Sequence, residues 1–333
     1  MPRPRTIAAL LALALVVAAC GGSATASPTP SASGSANAGA LCPSAPEVTA
    51  TPDGWGAPTT TPTALPYLVS NAVSCGQARL LLLFLDSQNR VVSAPDRTAS
   101  IAFYDLGRDP AKSVGAADGT FIWTIPDDRG MYIFDVALPE AGTWGAEVTT
   151  AAPGQPTETT RMTFDVHDTS TTVQVGQKAP ASKTPTLADV GGDVTKISTD
   201  TKPNPAFYTT SVADAIAKKQ PFILIFATPK FCKSAQCGPT LDQLKPVAAA
   251  NPGVTFINVE PYELKLVDGQ LQPVLTTTDP PDLTPTAATN EWGLTSEPWI
   301  FAVDGNGIVQ KSYELIASPA EMDAAIKAIS PAG

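Results

Sequence analysis

The chain has 333 residues, of which 43% are hydrophobic and 16% are charged, and its formal net charge is −10. This length and hydrophobic content are enough for two domains with real cores, and they exclude a largely disordered protein. The sequence has no basic patch, which argues against a nucleic-acid partner because phosphate binding needs clustered lysine and arginine.

The N-terminus is typical of a secretory signal. Arg3 and Arg5 precede an apolar run that is short for a membrane span, which needs roughly 20 residues, and small residues then lead to Cys20. The segment VAAC resembles the lipobox of bacterial lipoproteins, with Val17 in place of the usual Leu. The resemblance implies a signal peptide over residues 1–20, lipidation of Cys20 and anchoring at the extracytoplasmic face of the cell membrane. The alternative is an ordinary signal peptide with a coincidental cysteine.

Residues 21–40 contain no large apolar residue and no charge, so they cannot form a core. We expect a disordered tether over residues 21–41, with a root-mean-square span of about 25 Å. The four remaining cysteines would then lie outside the cytoplasm, where disulfides persist.

Six apolar or alternating runs separated by turn residues predict an all-β sandwich over residues 42–175. The runs are ARLLLLFLD, TASIAFYDL, TFIWTI, GMYIFDVAL, TWGAEVTT and TRMTFDVHD. The segment GMYIFDVALPEAGTWGAEVTT resembles the end of periplasmic immunoglobulin-like modules of the FixH/YtkA kind. Cys42 and Cys75 frame the start of this region, and we expect a structural disulfide between them that contributes about 3 to 4 kcal/mol.

From residue 176 onward, apolar strands alternate with amphipathic helical patterns in the order β-α-β, then β-β-α. This pattern predicts a central sheet covered on both faces, in the order of a thioredoxin fold. Three motifs resemble the thioredoxin superfamily, in its extracytoplasmic ResA/TlpA-like and peroxiredoxin-like branch. They are VGQKAPASKTPTL, FILIFATPKFC and SEPWIFAVDGNGIV. The resemblance implies an α/β thioredoxin-like domain over residues 176–333.

The cysteine pair of this region departs from the family's Cys-x-x-Cys, because four residues separate Cys232 from Cys237. In a helix, positions five apart have Cα atoms about 8 Å apart, too far for a disulfide, so KSAQ must form a loop if the pair is bonded. Pro239 suits the first position of a helix, where its missing N–H costs nothing. The sequence therefore predicts that both cysteines precede that helix.

Two alignments with the family remain open for the roles of the pair. In one, Cys232 is the nucleophile that follows its aromatic neighbour Phe231. In the other, CGPT corresponds to the family's CGPC, Cys237 is the nucleophile and Cys232 attacks from upstream. Lys230 and Lys233 add positive charge near either sulfur, which favours the thiolate.

The resemblance also implies that Pro298 matches the family's cis-proline, which packs beside the disulfide and lets the preceding backbone pair with an extended substrate. Glu297 stands where Thr or Val is commoner in the family, and its charge is expected to alter partner choice. We therefore expect Pro298, Glu297 and Phe231 to contact substrate.

A metal site is not expected. Sco-type copper chaperones also carry a cysteine pair in this loop, but they need a later histidine, and the only histidine of this chain is His167. His167 is expected to be a solvated residue at a strand end. Two thiolates alone could still hold Cu(I), and this alternative stays open. No cofactor is expected.

The sequence thus predicts a lipid-anchored extracytoplasmic thiol-disulfide oxidoreductase that acts on protein thiols and disulfides through Cys232 and Cys237. The rival prediction is a non-catalytic binding protein of the cell envelope, in which the thioredoxin-like domain is degenerate and both cysteine pairs are structural disulfides.

Overall fold

Eight strands form the first half of the chain in the computed structural model, which describes residues 42–330. In chain order they are β1 (Leu65–Leu68), β2 (Gly76–Leu85), β3 (Thr98–Asp105), β4 (Ser113–Asp118), β5 (Thr120–Ile125), β6 (Arg129–Leu138), β7 (Gly142–Ala151) and β8 (Glu158–Val166). They make two antiparallel sheets, with the strand orders β1-β2-β6-β5 and β4-β3-β7-β8.

The two sheets pack against each other through one core. Alternate residues of β2 and β6 face it, and Leu80 lies opposite Phe134 in the register of these two strands. Trp144 of β7 enters the same core from the other sheet and is 1% exposed. Because side chains alternate between the faces of a strand, each sheet supplies one apolar face to this core.

Helices and strands alternate in the second half, after three short 3-10 helices at Leu187–Val190, Val194–Lys196 and Pro205–Tyr208. The elements are α1 (Val212–Ala217), β9 (Phe222–Phe226), α2 (Cys237–Ala250), β10 (Thr255–Val259), β11 (Leu264–Val267), β12 (Gln270–Pro273), α3 (Ala287–Glu291), β13 (Trp299–Val303), β14 (Val309–Glu314) and α4 (Pro319–Ile329). One sheet has the order β10-β9-β13-β14, and β11 and β12 form a separate two-stranded sheet.

Strand β9 lies inside the larger of these sheets, parallel to β10 and antiparallel to β13. All five of its residues are buried. Ile223 and Ile225 contribute to one apolar cluster, whereas Phe222, Leu224 and Phe226 contribute to another. The continuous apolar run FILIF therefore reflects a strand covered on both faces.

The predicted fold class, an immunoglobulin-like sandwich followed by an α/β thioredoxin-like domain, is wrong. Residues 42–330 are mostly β structure, with four sheets and only four α-helices. The prediction paired apolar strands with amphipathic helices, but two of the four described helices are short, because α1 has 6 residues and α3 has 5. The described chain is therefore a β-rich fold.

The two halves contact each other through an apolar patch and a set of polar contacts. Leu315 and Ile316, which follow β14, pack against Leu81 and Ile133 of the first sheet. All described residues belong to one compact unit. The predicted boundary between residues 175 and 176 stays a prediction.

The signal peptide over residues 1–20, the lipidated Cys20 and the tether over residues 21–41 lie outside the described residues, and so do residues 331–333. These features stay predictions. None of the helices between residues 42 and 330 has the length and hydropathy of a membrane span.

Candidate functional site

The candidate site is the disulfide between Cys232 and Cys237, whose Cα atoms are 6.0 Å apart. The chain leaves β9, turns through residues 229–236 and enters α2 at Cys237. The prediction that both cysteines precede the helix is therefore wrong for Cys237, which is its first residue. Pro239 fits the third helical position as well as the first, because the first four N–H groups of a helix have no partner within it.

Burial distinguishes the two cysteines. Cys237 is 0% exposed and belongs to the core on one face of the sheet. Cys232 and its neighbour Phe231 lie in the loop and are half-buried. Of the two cysteines, therefore, only Cys232 has exposed surface through which an incoming thiol or disulfide can approach.

Cys232 also lies at the amino end of α2. The backbone N–H of Cys237 points at the Sγ of Cys232 over 3.2 Å, and the Oγ of Ser234 is 3.3 Å from the same sulfur. Unpaired N–H groups and the helix dipole at this end stabilise negative charge, so the position of Cys232 favours a thiolate.

Glu297 places a carboxylate beside both sulfurs. One of its oxygens and the two Sγ atoms all lie within 4.8 Å of one another, and the residue is 3% exposed. Its carboxylate accepts hydrogen bonds from the backbone N–H of Lys233 at 2.6 Å and from the hydroxyl of Tyr262 at 2.5 Å. Burial and the neighbouring Glu297 carboxylate both raise the pKa of Tyr262, so this hydroxyl remains a donor.

The two lysines of the loop direct their ammonium groups to other partners. Lys233 Nζ is 2.7 Å from a carboxylate oxygen of Asp282, and this contact lowers the pKa of Asp282. Lys230 Nζ donates to the carbonyl of Leu271 at 3.2 Å. Because both ammonium groups pair with other partners, they do not make the surroundings of the sulfurs as positive as expected. The carboxylate of Glu297 adds negative charge there.

Pro298 follows Glu297 through a cis peptide bond and is buried just before β13. Its carbonyl accepts a hydrogen bond from the N–H of Leu315 at 2.8 Å. The structure therefore brings together Cys232, Cys237 and Glu297, with Pro298 next in sequence to the carboxylate.

A cavity of about 790 Å³ opens next to this site and is lined by both halves of the chain. Lys233, Ser234 and Glu297 line it from the site, while Tyr67 and His167 line it from the first half. His167 is exposed after the end of β8, as a solvated residue would be, but it also lines this cavity. Nothing in the sequence indicated that His167 lies near the cysteine pair, because His167 belongs to the first half of the chain and the pair belongs to the second.

Gln236 fixes the loop to the first half. This residue is 4% exposed, and its amide nitrogen donates to the carbonyl of Thr124 in β5 at 2.9 Å. Gln243 of α2 donates to the same carbonyl at 3.0 Å. Sequence reasoning missed this contact, and no local pattern could have revealed it, since Gln236 and Thr124 are 112 positions apart.

The second disulfide joins Cys42 to Cys75, with Cα atoms 6.3 Å apart. The backbone N–H of Cys75 donates to the carbonyl of His167 at 3.0 Å, and that of Cys42 donates to the carbonyl of Asp168 at 3.3 Å. This disulfide therefore ties the N-terminal arm to the start of β2 and to the segment after β8.

Glu260 is a buried carboxyl group that sequence reasoning missed. Burial raises its pKa to about 7, although the neighbouring Thr228 and Thr199 side chains act in the opposite direction. One carboxylate oxygen accepts from the N–H and the hydroxyl of Thr199 at 2.6 and 2.8 Å, and the other has no hydrogen-bond partner. The signal was present in the sequence, because a glutamate ends the apolar run VTFINVE.

No protein-family model and no curated protein matches the chain. Among solved structures, a DUF4426 family protein from Pseudomonas aeruginosa PAO1 is similar over 28% of this chain and 76% of its own length. The sequence identity is 10% and the TM-score is 0.21. At that TM-score the similarity carries no argument about fold or function.

Proposed function

We propose that this protein is a thiol-disulfide oxidoreductase that acts on protein thiols and disulfides through Cys232 and Cys237. The observation that carries the proposal is the asymmetry of the pair: Cys232 is accessible at the amino end of α2, whereas Cys237 is fully buried behind it. Disulfide exchange needs one accessible thiolate and a second thiol within bonding distance.

In the proposed reaction, the reduced Cys232 thiolate attacks one sulfur of a substrate disulfide and releases the other sulfur as a thiol. The thiolate of Cys237 then attacks Cys232, which frees the second substrate thiol and closes the Cys232–Cys237 bond. Two electrons pass to the substrate, and the reverse sequence oxidises a dithiol. The cavity beside Lys233 and Glu297 would receive the substrate segment.

A structural disulfide is the second candidate, and the fixed loop favours it. Gln236 is held by Thr124, and the hydroxyl of Ser234 donates to the carbonyl of Glu297 at 2.7 Å. The Glu297 carboxylate also opposes a thiolate at either sulfur. In that case the protein would be a binding protein of the cell envelope.

The reduction potential of the Cys232–Cys237 bond separates these two functions. We expect a value above about −300 mV, because structural disulfides of secreted proteins lie below that value. Alkylation of redox-equilibrated protein, followed by peptide mass analysis, gives the potential of each bond separately. The Cys42–Cys75 bond is the internal control, and it should stay oxidised at buffer potentials that reduce the Cys232–Cys237 bond. A potential for Cys232–Cys237 as low as that of the control would support the structural candidate.

We also propose that the protein is anchored by a lipid on Cys20 and works on the extracytoplasmic face of the cell membrane. The lipobox-like VAAC and the following tether support this proposal. Mass analysis of the mature protein should find Cys20 as a lipid-modified first residue, and an unmodified N-terminus at any other residue would contradict the proposal.

A further inference from the structure

Three potential metal ligands meet at the disulfide. The Sγ atoms of Cys232 and Cys237 and one carboxylate oxygen of Glu297 lie within 4.8 Å of one another. Once the cysteines are reduced, this set offers two thiolates and one carboxylate. Zinc accepts sulfur and oxygen ligands together, whereas Cu(I) favours soft ligands and gains less from a carboxylate.

The spacing suits a tetrahedral ion. With bonds of about 2.3 Å to sulfur and about 2.0 Å to oxygen, tetrahedral zinc places its sulfur ligands about 3.8 Å apart and sulfur and oxygen about 3.5 Å apart. Reduction breaks the bond between the two sulfurs and lets them separate, and Glu297 is already within 4.8 Å of both. Only small side-chain movements would complete the geometry.

The surroundings of Glu297 are like those of a metal ligand. The N–H of Lys233 and the hydroxyl of Tyr262 hold its carboxylate in place, as outer-shell donors orient ligating groups. Glu297 is 3% exposed, and the ammonium group of Lys233 pairs with Asp282. A buried carboxylate beside two thiolates would concentrate negative charge, which a divalent cation offsets.

We propose that the reduced protein binds one thiophilic divalent cation, of which zinc is the example, through Cys232, Cys237 and Glu297. Binding releases the two thiol protons to solvent and leaves a fourth coordination position for water. The oxidised protein lacks both thiolates and does not bind. This inference goes beyond disulfide exchange, although both use the same reduced pair.

The test is a titration of the purified, reduced protein with Zn²⁺ and, as a spectroscopic probe, with Co²⁺ under anaerobic conditions. Free thiols at Cys232 and Cys237 are counted before each titration. We expect one equivalent of metal, a thiolate-to-cobalt charge-transfer band and no binding by the oxidised protein. Glu297→Gln should weaken zinc binding at least about tenfold, while Glu263→Gln, an exposed control, should not.

Two outcomes would overturn the proposal: no stoichiometric binding by protein with both thiols free, or equal zinc affinity in Glu297→Gln and the original protein. Neither outcome bears on disulfide exchange, which is assayed on the same preparation without metal. Loss of exchange with retained zinc binding would instead contradict the proposed function alone.

Discussion

Cys232 and Cys237 have different access to solvent, and this difference decides which sulfur can meet a substrate. The half-buried Cys232 lies at the amino end of α2, where the N–H of Cys237 faces its sulfur. Cys237 is enclosed in the core, so a bulky substrate disulfide can reach its sulfur only through Cys232. In the proposed exchange, Cys232 is therefore the attacking cysteine and Cys237 the resolving one.

Glu260 gives a prediction at the scale of a single residue. Its pKa is raised from 4.5 to about 7 in the folded protein. Between these values the unfolded chain loses the proton and the folded protein keeps it, so the free energy of unfolding falls as pH rises. The loss should amount to about 3 kcal/mol and be complete above pH 7.

Glu260→Gln should remove this part of the pH dependence. Denaturant unfolding at pH 5 and pH 8 measures it, and the decrease between the two should be smaller in Glu260→Gln than in the original protein. The exposed Glu263→Gln is the control and should keep the original decrease. Equal decreases in all three proteins would show that Glu260 does not titrate in this range.

The residue types of the candidate site could be predicted from the sequence, and so could the loop between the cysteines. The roles of Cys232 and Cys237 could not, because they depend on burial and two alignments were open. The resemblance implied that Pro298 lies beside the disulfide, but it did not predict a carboxylate within 4.8 Å of both sulfurs, since that depends on how the chain before β13 returns to the start of α2.

At the scale of elements, strongly apolar strands were predictable, and weakly patterned ones were not. Strands β2, β6 and β9 consist largely of runs of large apolar residues. Strand β4, SVGAAD, is exposed along most of its length and has no alternation to reveal it, and β1, LPYL, contains a proline. Such edge strands form through pairing with a neighbour.

The helices explain why the predicted fold class was wrong. The amphipathic patterns PTLDQLKPVAAA and SPAEMDAAIKAI predict helices, and they fall in α2 and α4, which have 14 and 11 residues. Pattern alone does not determine length, however, and α1 ends after 6 residues. The hairpin of β11 and β12, which turns at Asp268-Gly269, adds further strand that our sequence analysis did not predict.

At the scale of the whole molecule, contacts between distant segments hold the two halves together. Arg79 of β2 makes two hydrogen bonds with Glu321 of α4, at 2.6 and 3.0 Å, and donates to the carbonyl of Ile316 at 2.9 Å. Arg79 and Glu321 are 242 positions apart, so no local pattern indicates this ion pair.

Arg79→Met should lower the free energy of unfolding by about 2 kcal/mol, because it leaves the half-buried Glu321 without its guanidinium partner. Arg90→Met is the matched control, since Arg90 pairs with Asp86 on the surface and its side chain is 74% exposed. That change should cost at most about 1 kcal/mol. Denaturant unfolding measures both variants. An equal decrease in the free energy of unfolding in Arg79→Met and Arg90→Met would show that Arg79 does not stabilise the contact between the halves.

The most direct test of the central claim is trapping of a mixed disulfide. Reduced Cys237→Ser, incubated with a disulfide-containing peptide, should gain the mass of one peptide chain at Cys232, and a reducing agent should remove it. Reduced Cys232→Ser should gain none, because Cys237 is 0% exposed. Adducts that form equally in both variants, or in neither, would contradict exchange at Cys232.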